Sequence, residues 1–136
     1  MRQPMSKLAI PFALVLVFLI SLAACSPGPQ EFGILEGQVT IGPLVPVMRE
    51  GEDPPTPAPG VYAAREVVAY KKNGKTEYAR LKLDSTGWYQ EELPVGVYVI
   101  DINRIGIDSA EGLPKQIEIK LNSITRLDIE IDTGIR

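Results

Sequence analysis

The sequence predicts an all-β protein: a single antiparallel β-sandwich of about seven strands, following a cleaved N-terminal signal segment. Three observations carry this. From residue 33 onward, apolar side chains recur with a period of two rather than 3.6. Turn-forming clusters interrupt that alternation at roughly the 8–12-residue spacing of short-stranded sandwiches. Residues 8–20 are an unbroken apolar run that ends in small residues and shares no pattern with the rest of the chain.

The leader comes first. Arg2 and Lys7 make a short positive region ahead of the apolar run. That run has 13 residues, short of the roughly 20 needed to cross a bilayer as a helix. Ser21, Ala23 and Ala24 come next, completing the pattern of an export signal. Leu22-Ala23-Ala24-Cys25 closely resembles the lipobox of bacterial lipoproteins. The resemblance implies cleavage before Cys25, a diacylglyceryl group on its sulfur and acylation of the new amino terminus with a chain such as palmitate. A thiol is a strong nucleophile for taking up lipid, and two or three acyl chains hold a protein stably where one does not. On this reading, residues 1–24 are a lipoprotein signal peptide and residues 25–32 are the lipidated cysteine and a short tether. Seven tether residues reach at most roughly 25 Å, which keeps the domain close to the membrane. Ser26 stands where an aspartate would imply inner-membrane retention, which leans toward an outer membrane in a cell that has one.

The body, residues 33–136, is read strand by strand. Leu35, Gly37, Val39 and Ile41 alternate with Glu36, Gln38 and Thr40. Residues 67–70 run into Asn73-Gly74, a strong hairpin signal because both residues tolerate positive φ. A two-residue turn there places Val68 opposite Ala79 on the inner face, with Leu81 and Leu83 beyond it. Asp84-Ser85-Thr86-Gly87 reads as a turn, and residues 88–92 as a short strand. Residues 97–105 are apolar on both faces apart from Asp101 and Asn103, as a central strand would be. Residues 109–114 read as a loop. Ile117, Ile119 and Leu121 face inward on the next strand, and Leu127, Ile129 and Ile131 on the last. No segment longer than a few residues has helical spacing, and a helix is not needed to close the core.

Asp-Ser-Thr-Gly-Trp-Tyr at 84–89 and Leu-Pro-Val-Gly-Val-Tyr at 93–98 resemble the signature of carboxypeptidase regulatory-like domains, which are transthyretin-like (prealbumin-like) Greek-key sandwiches. Gly-Pro-Leu-Val-Pro-Val at 42–47 and Asp-Thr-Gly-Ile-Arg at 132–136 are similar to segments of secreted bacterial forms. Those forms often carry a cysteine pair around the proline-rich loop; Val45 stands at the first place here, so the staple is absent. The resemblance implies a fold and little about function, because such sandwiches serve as spacers, binding modules and accessory domains.

Composition removes several chemistries. The chain has no histidine, the commonest general base and transition-metal ligand. Its one cysteine rules out an intrachain disulfide. The 14 basic residues are interspersed among 17 acidic ones without a basic run, so no nucleic acid and no polybasic membrane patch is expected. The histidines and C-terminal Tyr-Arg-Gly-Ser on which transthyretin-like hydrolases rely are missing. So are the lysine in the first strand and the asparagine in the last with which collagen-adhesin-type sandwiches form an isopeptide bond. Asp84, Asp108 and Glu111 lie in loops but lack calcium-loop spacing, and Asp84 is better read as a turn former. No catalytic residue, cofactor or metal site is expected.

Two features remain as partner contacts. Pro54, Pro55 and Pro57 stiffen residues 51–60 toward polyproline II. This reads first as a solvated loop between strands, with a docking surface for a partner as the alternative. Trp88 is the only tryptophan; with the five tyrosines it could form a sugar-stacking platform, although Tyr89 and Tyr98 are expected in the core with Trp88 on the opposite face. The sequence therefore points to a lipoprotein anchored through Cys25 on the extracytoplasmic face of the cell membrane or outer membrane. Its sandwich is expected to be a non-catalytic structural or binding module for an envelope protein or glycan. The alternatives are an accessory subunit of an envelope hydrolase or transporter complex, and a carbohydrate-binding module.

Overall fold

The computed structural model describes residues 28–136. Cys25 and the expected signal segment lie outside them. Residues Glu31–Arg136 form one compact unit.

The alternation of β1 (Phe32–Gly42) decides the architecture: Leu35, Gly37, Val39 and Ile41 are buried while the residues between them are not. A strand with one buried face must lie on a second layer. β1 is central in the first sheet, ordered β4-β1-β9-β6 with β8 also pairing to β1. Its partners are β4 (Trp88–Pro94), β8 (Ile124–Arg126) and β9 (Ile129–Asp132), and β6 (Ser109–Ala110) closes one edge. The second sheet is ordered β3-β2-β5-β7, from β2 (Glu66–Lys71), β3 (Glu77–Lys82), β5 (Gly96–Ile102) and β7 (Lys115–Ile119). Between the sheets lie Leu35, Val39, Val67, Ala69, Leu81, Tyr89, Leu93, Ile100, Ile119 and Ile131, each at most 2% exposed. The expected sandwich is therefore present, and β5 is internal to its sheet as its two-sided apolarity predicted. Among the described residues nine strands form rather than about seven, the additional ones being as short as β6 and β8.

Several details differ from the sequence reading. Antiparallel pairing dominates, but β8 and β9 both run parallel to β1. The expected last strand is split between these two segments, because at Leu127–Asp128 the chain moves from the Ile34–Glu36 part of β1 to the Val39–Gly42 part. Its alternation survives the break, with Leu127, Ile129 and Ile131 all buried.

The hairpin register is also different. The tip is a loop of residues 72–75 and not a two-residue Asn73-Gly74 turn: the Gly74 N–H donates to the Lys71 carbonyl and the Lys71 N–H to the Thr76 carbonyl, both at 2.8 Å, with positive φ at Gly74 but not at Asn73. Tyr70 still pairs with Glu77, and a bulge at Tyr78 then sets Ala69 opposite Ala79 and Val68 opposite Arg80. Val68 accordingly leaves the inner face. It is buried on the outside of its sheet, between Arg80 on one side and Asp101 on the other. Leu121 is 46% exposed because β7 ends at Ile119 and Leu121 sits in the turn beyond it. The loop expected at residues 109–114 contributes β6, and the loop expected at 51–60 ends in a short helix, α1 (Pro59–Ala63). Tyr62 of α1 is buried in the core, so a helical turn does help to close it.

Two glycines allow close approach around the first sheet. A Cβ on Gly37 would lie 1.9 Å from the Leu127 carbonyl oxygen and 2.9 Å from the Tyr89 hydroxyl. Gly87, at φ +85°, packs its Cα against Tyr62, where a Cβ would come within 2.5 Å of the ring.

Strand direction sorts the loops into two ends. At one end the chain enters at Glu31, beside the β4–β5 turn, the β7–β8 turn and the β2–β3 hairpin tip. At the other end lie residues 43–58, α1, the β3–β4 turn, the β5–β6 loop and the C-terminus. The 11 residues of β1 link the two, roughly 33 Å at the rise of an extended strand.

Candidate functional site

The end remote from the chain entry is built by the segments singled out as motifs. The Gly42 carbonyl accepts from the Thr133 N–H at 3.0 Å, and the Pro43 carbonyl accepts from the Thr133 hydroxyl. Gly42-Pro43 is thereby tied to Asp132-Thr133-Gly134, although 90 residues separate Pro43 from Thr133. Thr133 is buried with its hydroxyl satisfied, so the link is structural. Asp132 accepts from the Gly134 N–H at 2.8 Å and pairs with Arg136 at 2.7 Å. The Arg136 guanidinium, with help from that N–H, holds the Asp132 carboxyl below its ordinary value.

Over this joint the proline-rich segment folds back to form one wall of an open cavity of about 360 Å³. Its apolar lining comes from Ile41, Pro43, Leu44, Val45, Met48, Pro54 and Pro55, and its acidic side from Glu130 and Asp132. The volume lies within the range of small ligand and side-chain pockets. Outside it, Val47 is 81% exposed and Ile107, on the β5–β6 loop at the same end, 73%. Both are held on loops at the same end of the sandwich.

Those loops are braced from beneath. Arg65, just after α1, donates to both carboxylate oxygens of Asp108 at 2.8 and 3.2 Å, and its other nitrogen donates to the Val61 carbonyl at 3.1 Å. The two side chains are 13% and 4% exposed. Asp108, weighed from the sequence as a calcium ligand, thus serves as the counter-ion of a buried arginine. Asp84 is the turn former expected of it: Oδ1 accepts from the Thr86 N–H at 2.7 Å, the Thr86 hydroxyl at 2.7 Å and the Trp88 N–H at 3.0 Å. The Thr86 hydroxyl and these amides lower its carboxyl from the ordinary value. Among the described residues, no three His, Cys, Asp or Glu side chains are grouped to hold a metal ion.

The proposed contact residues are only partly brought together. Pro54 and Pro55 line the cavity, while Pro57 is half-buried and outside its wall. Trp88 lies away from it, opposite Gln38 on the outer face of the first sheet. The Arg126 guanidinium sits 5.4 Å from the centre of the indole ring, so a stacking sugar would have to displace it. The tyrosines do not gather around Trp88. Tyr62, Tyr89 and Tyr98 are buried, and Tyr78 packs edge-on against Tyr98. The Tyr89 hydroxyl donates to the Leu127 carbonyl at the β8–β9 break; burial, then the nearby Asp128 carboxylate, push its pKa up.

Sequence reasoning missed Leu44, Val45, Met48 and Glu130 as members of this site. The available signal was the apolar content of residues 44–48, which shows no strand alternation and precedes an acidic, proline-rich stretch.

No family model and no curated protein matches the chain. Solved structures do. One is GBS52, the minor pilin of the gram-positive pathogen Streptococcus agalactiae, with a TM-score of 0.51 and 16% identity over 76% of this chain and 45% of that one. The Bacillus anthracis TIE protein is similar at a TM-score of 0.49 and 13% identity, over 75% of this chain and 16% of that one. A DUF3823 family protein from Parabacteroides merdae is similar at 0.46 and 16%, over 75% and 46%. The chain spans less than half the length of each. The likeness to the minor pilin is one of fold: both contain a β-sandwich of this kind.

Proposed function

We propose that this protein is a lipoprotein, anchored through Cys25 on the extracytoplasmic face, whose sandwich is a non-catalytic docking module of the carboxypeptidase regulatory-like, prealbumin-like type. The observation that carries the docking role is the end remote from the chain entry. There the joined Gly42-Pro43 and Asp132-Thr133 segments, the proline-rich loop and the exposed Val47 frame an apolar cavity with an acidic side. Its chemistry suits an extended segment of an envelope protein that carries an apolar side chain next to a basic one. The anchor rests on the lipobox, which lies outside the described residues. The Streptococcus agalactiae protein whose fold this chain shares is a minor pilin, in keeping with a structural role at the envelope.

A photo-crosslinking residue at Val47, in cells making the full-length protein, tests the docking role. A discrete adduct that is lost on Glu130→Lys, and is absent when the crosslinker sits at Lys82, supports it. No adduct at Val47, or the same adducts at both positions, refutes it. The anchor is tested separately. Cys25→Ala should leave the precursor uncut and unlabelled by palmitate, and normal processing of that variant would contradict the lipobox reading.

A further inference from the structure

The end at which the chain enters carries its own surface. The Glu31 carbonyl accepts from the Val95 N–H at 2.8 Å, the Phe32 carbonyl from the Asn122 N–H at 3.0 Å, and the Ser123 carbonyl from the Ile34 N–H at 2.9 Å. These bonds place the β4–β5 and β7–β8 turns on either side of the entering chain. Ile124 lies opposite Ile34, just beyond the second turn. Three apolar side chains are left exposed there: Val95 at 43%, Leu121 at 46% and Ile124 at 63%. The register of the second sheet brings the β2–β3 tip to the same level, since Lys71 pairs with Tyr98 and Gly96 with Ile119. That tip presents Lys71, Lys72 and Lys75, none of which forms an ion pair among the described residues. Strand direction thus brings the lysines of residues 71–75 to the same end as apolar residues from other parts of the sequence.

From this arrangement we infer that the entry end rests on the bilayer itself, with Val95, Leu121 and Ile124 in the headgroup–acyl boundary and the hairpin lysines at anionic headgroups. The occupant is the lipid surface to which the anchor binds, and the inference rests on the lipoprotein reading. Glu31 is six positions from Cys25, so the intervening chain reaches at most roughly 20 Å. It keeps this end at the membrane while the opposite loops lie a strand length away. Apolar side chains immersed at that depth leave water, and lysine ammonium groups extend along them to reach the headgroup phosphates. Glu92 lies on the other sheet at this end and Glu31 just precedes β1, while Glu77 and Glu118 on the lysine-bearing sheet are paired with Arg80 and Lys120, so the lysine side is the one drawn to anionic lipid.

The test uses full-length, lipidated protein in phosphatidylcholine–phosphatidylglycerol vesicles with bromine on the acyl chains. An environment-sensitive fluorophore is attached at Leu121→Cys or, at the opposite end, at Ser85→Cys; lipidation of Cys25 leaves the introduced thiol as the reactive one. Palmitate labelling of each variant is measured in parallel. The expected result is strong quenching and a blue shift at position 121, with neither at 85. Lys72→Glu together with Lys75→Glu should reduce the effect at 121 and leave palmitate labelling intact, by roughly fivefold per lysine on the anionic surface. Labelled protein with no quenching at 121, or with equal quenching at both positions, overturns the inference while the anchor stands. Absence of palmitate defeats the anchor, and the inference falls with it.

Discussion

Replacing Asp108 by alanine is the sharpest perturbation of the loops at the end remote from the chain entry. It leaves the Arg65 guanidinium, 13% exposed, without the carboxylate that accepts two of its hydrogen bonds. Removing one partner of a buried pair costs about 3–5 kcal/mol, since the remaining charge stays desolvated. Partial access of Arg65 to water places this case near 3 kcal/mol, a large share of the roughly 5–15 kcal/mol that stabilises a domain. In urea the unfolding midpoint should fall by on the order of 1–2 M with the slope unchanged. Replacing both partners, as Arg65→Met with Asp108→Leu, should restore much of the loss, because neither charge is then buried. A midpoint for Asp108→Ala within a few tenths molar of wild type would contradict a desolvated Arg65–Asp108 pair. It would mean that water reaches Arg65 as freely as it reaches exposed pairs such as Arg126–Asp128.

The core and the charges carry further consequences. Gly37→Ala drives a Cβ into the Leu127 backbone, 1.9 Å from its oxygen, and should cost about 3 kcal/mol; an unfolding midpoint equal to wild type would show that β8 and β9 are not held so close. Tyr89→Phe removes the donor to the buried Leu127 carbonyl and should cost about 1–2 kcal/mol in urea titration, with full retention of stability counting against that bond. The carboxyls of Asp84, Asp128, Asp132 and Glu77 are lowered in the folded state, by the Thr86 hydroxyl, the Gln38 N–H, Arg136 and Arg80 respectively as first causes. Their contribution is therefore present above the unfolded carboxyl pKa of about 4 and lost as pH falls through the lower folded values. With no histidine, the midpoint should be flat from about pH 6 to 8 and drop below about 4; a step near neutrality would contradict this.

The two-layer fold was legible because it rests on a local signal. Period-two burial of Leu35, Val39 and Ile41, and again of Leu127, Ile129 and Ile131, requires a sheet with one inner face whatever its neighbours are. Register was less legible. Asn73-Gly74 marked the hairpin but not its turn, which is a four-residue loop with positive φ at Gly74 and not at Asn73; the bulge at Tyr78, whose ring lies edge-on to Tyr98 of a sequence-distant strand, had no local signal either. The parallel pairing of β8 and β9 with β1 is likewise a property of the sheet and not of either segment. In the candidate site, Pro54 and Pro55 stood out by composition. Leu44, Val45 and Met48 did not, because an apolar residue in an irregular segment carries no period to show where it packs. The convergence of Lys71, Lys72 and Lys75 on Val95, Leu121 and Ile124 escaped for the same reason, since it is made by strand direction.

The proposed orientation sets one end of the sandwich at the lipid and offers the other to a partner. Photo-crosslinking from both ends in the same membranes tests it most directly, with the probe at Val47 in one sample and at Leu121 in the other. A discrete protein adduct is expected from Val47 and a lipid adduct from Leu121. Lipid captured from Val47, or a protein adduct from Leu121 with nothing from Val47, would contradict it.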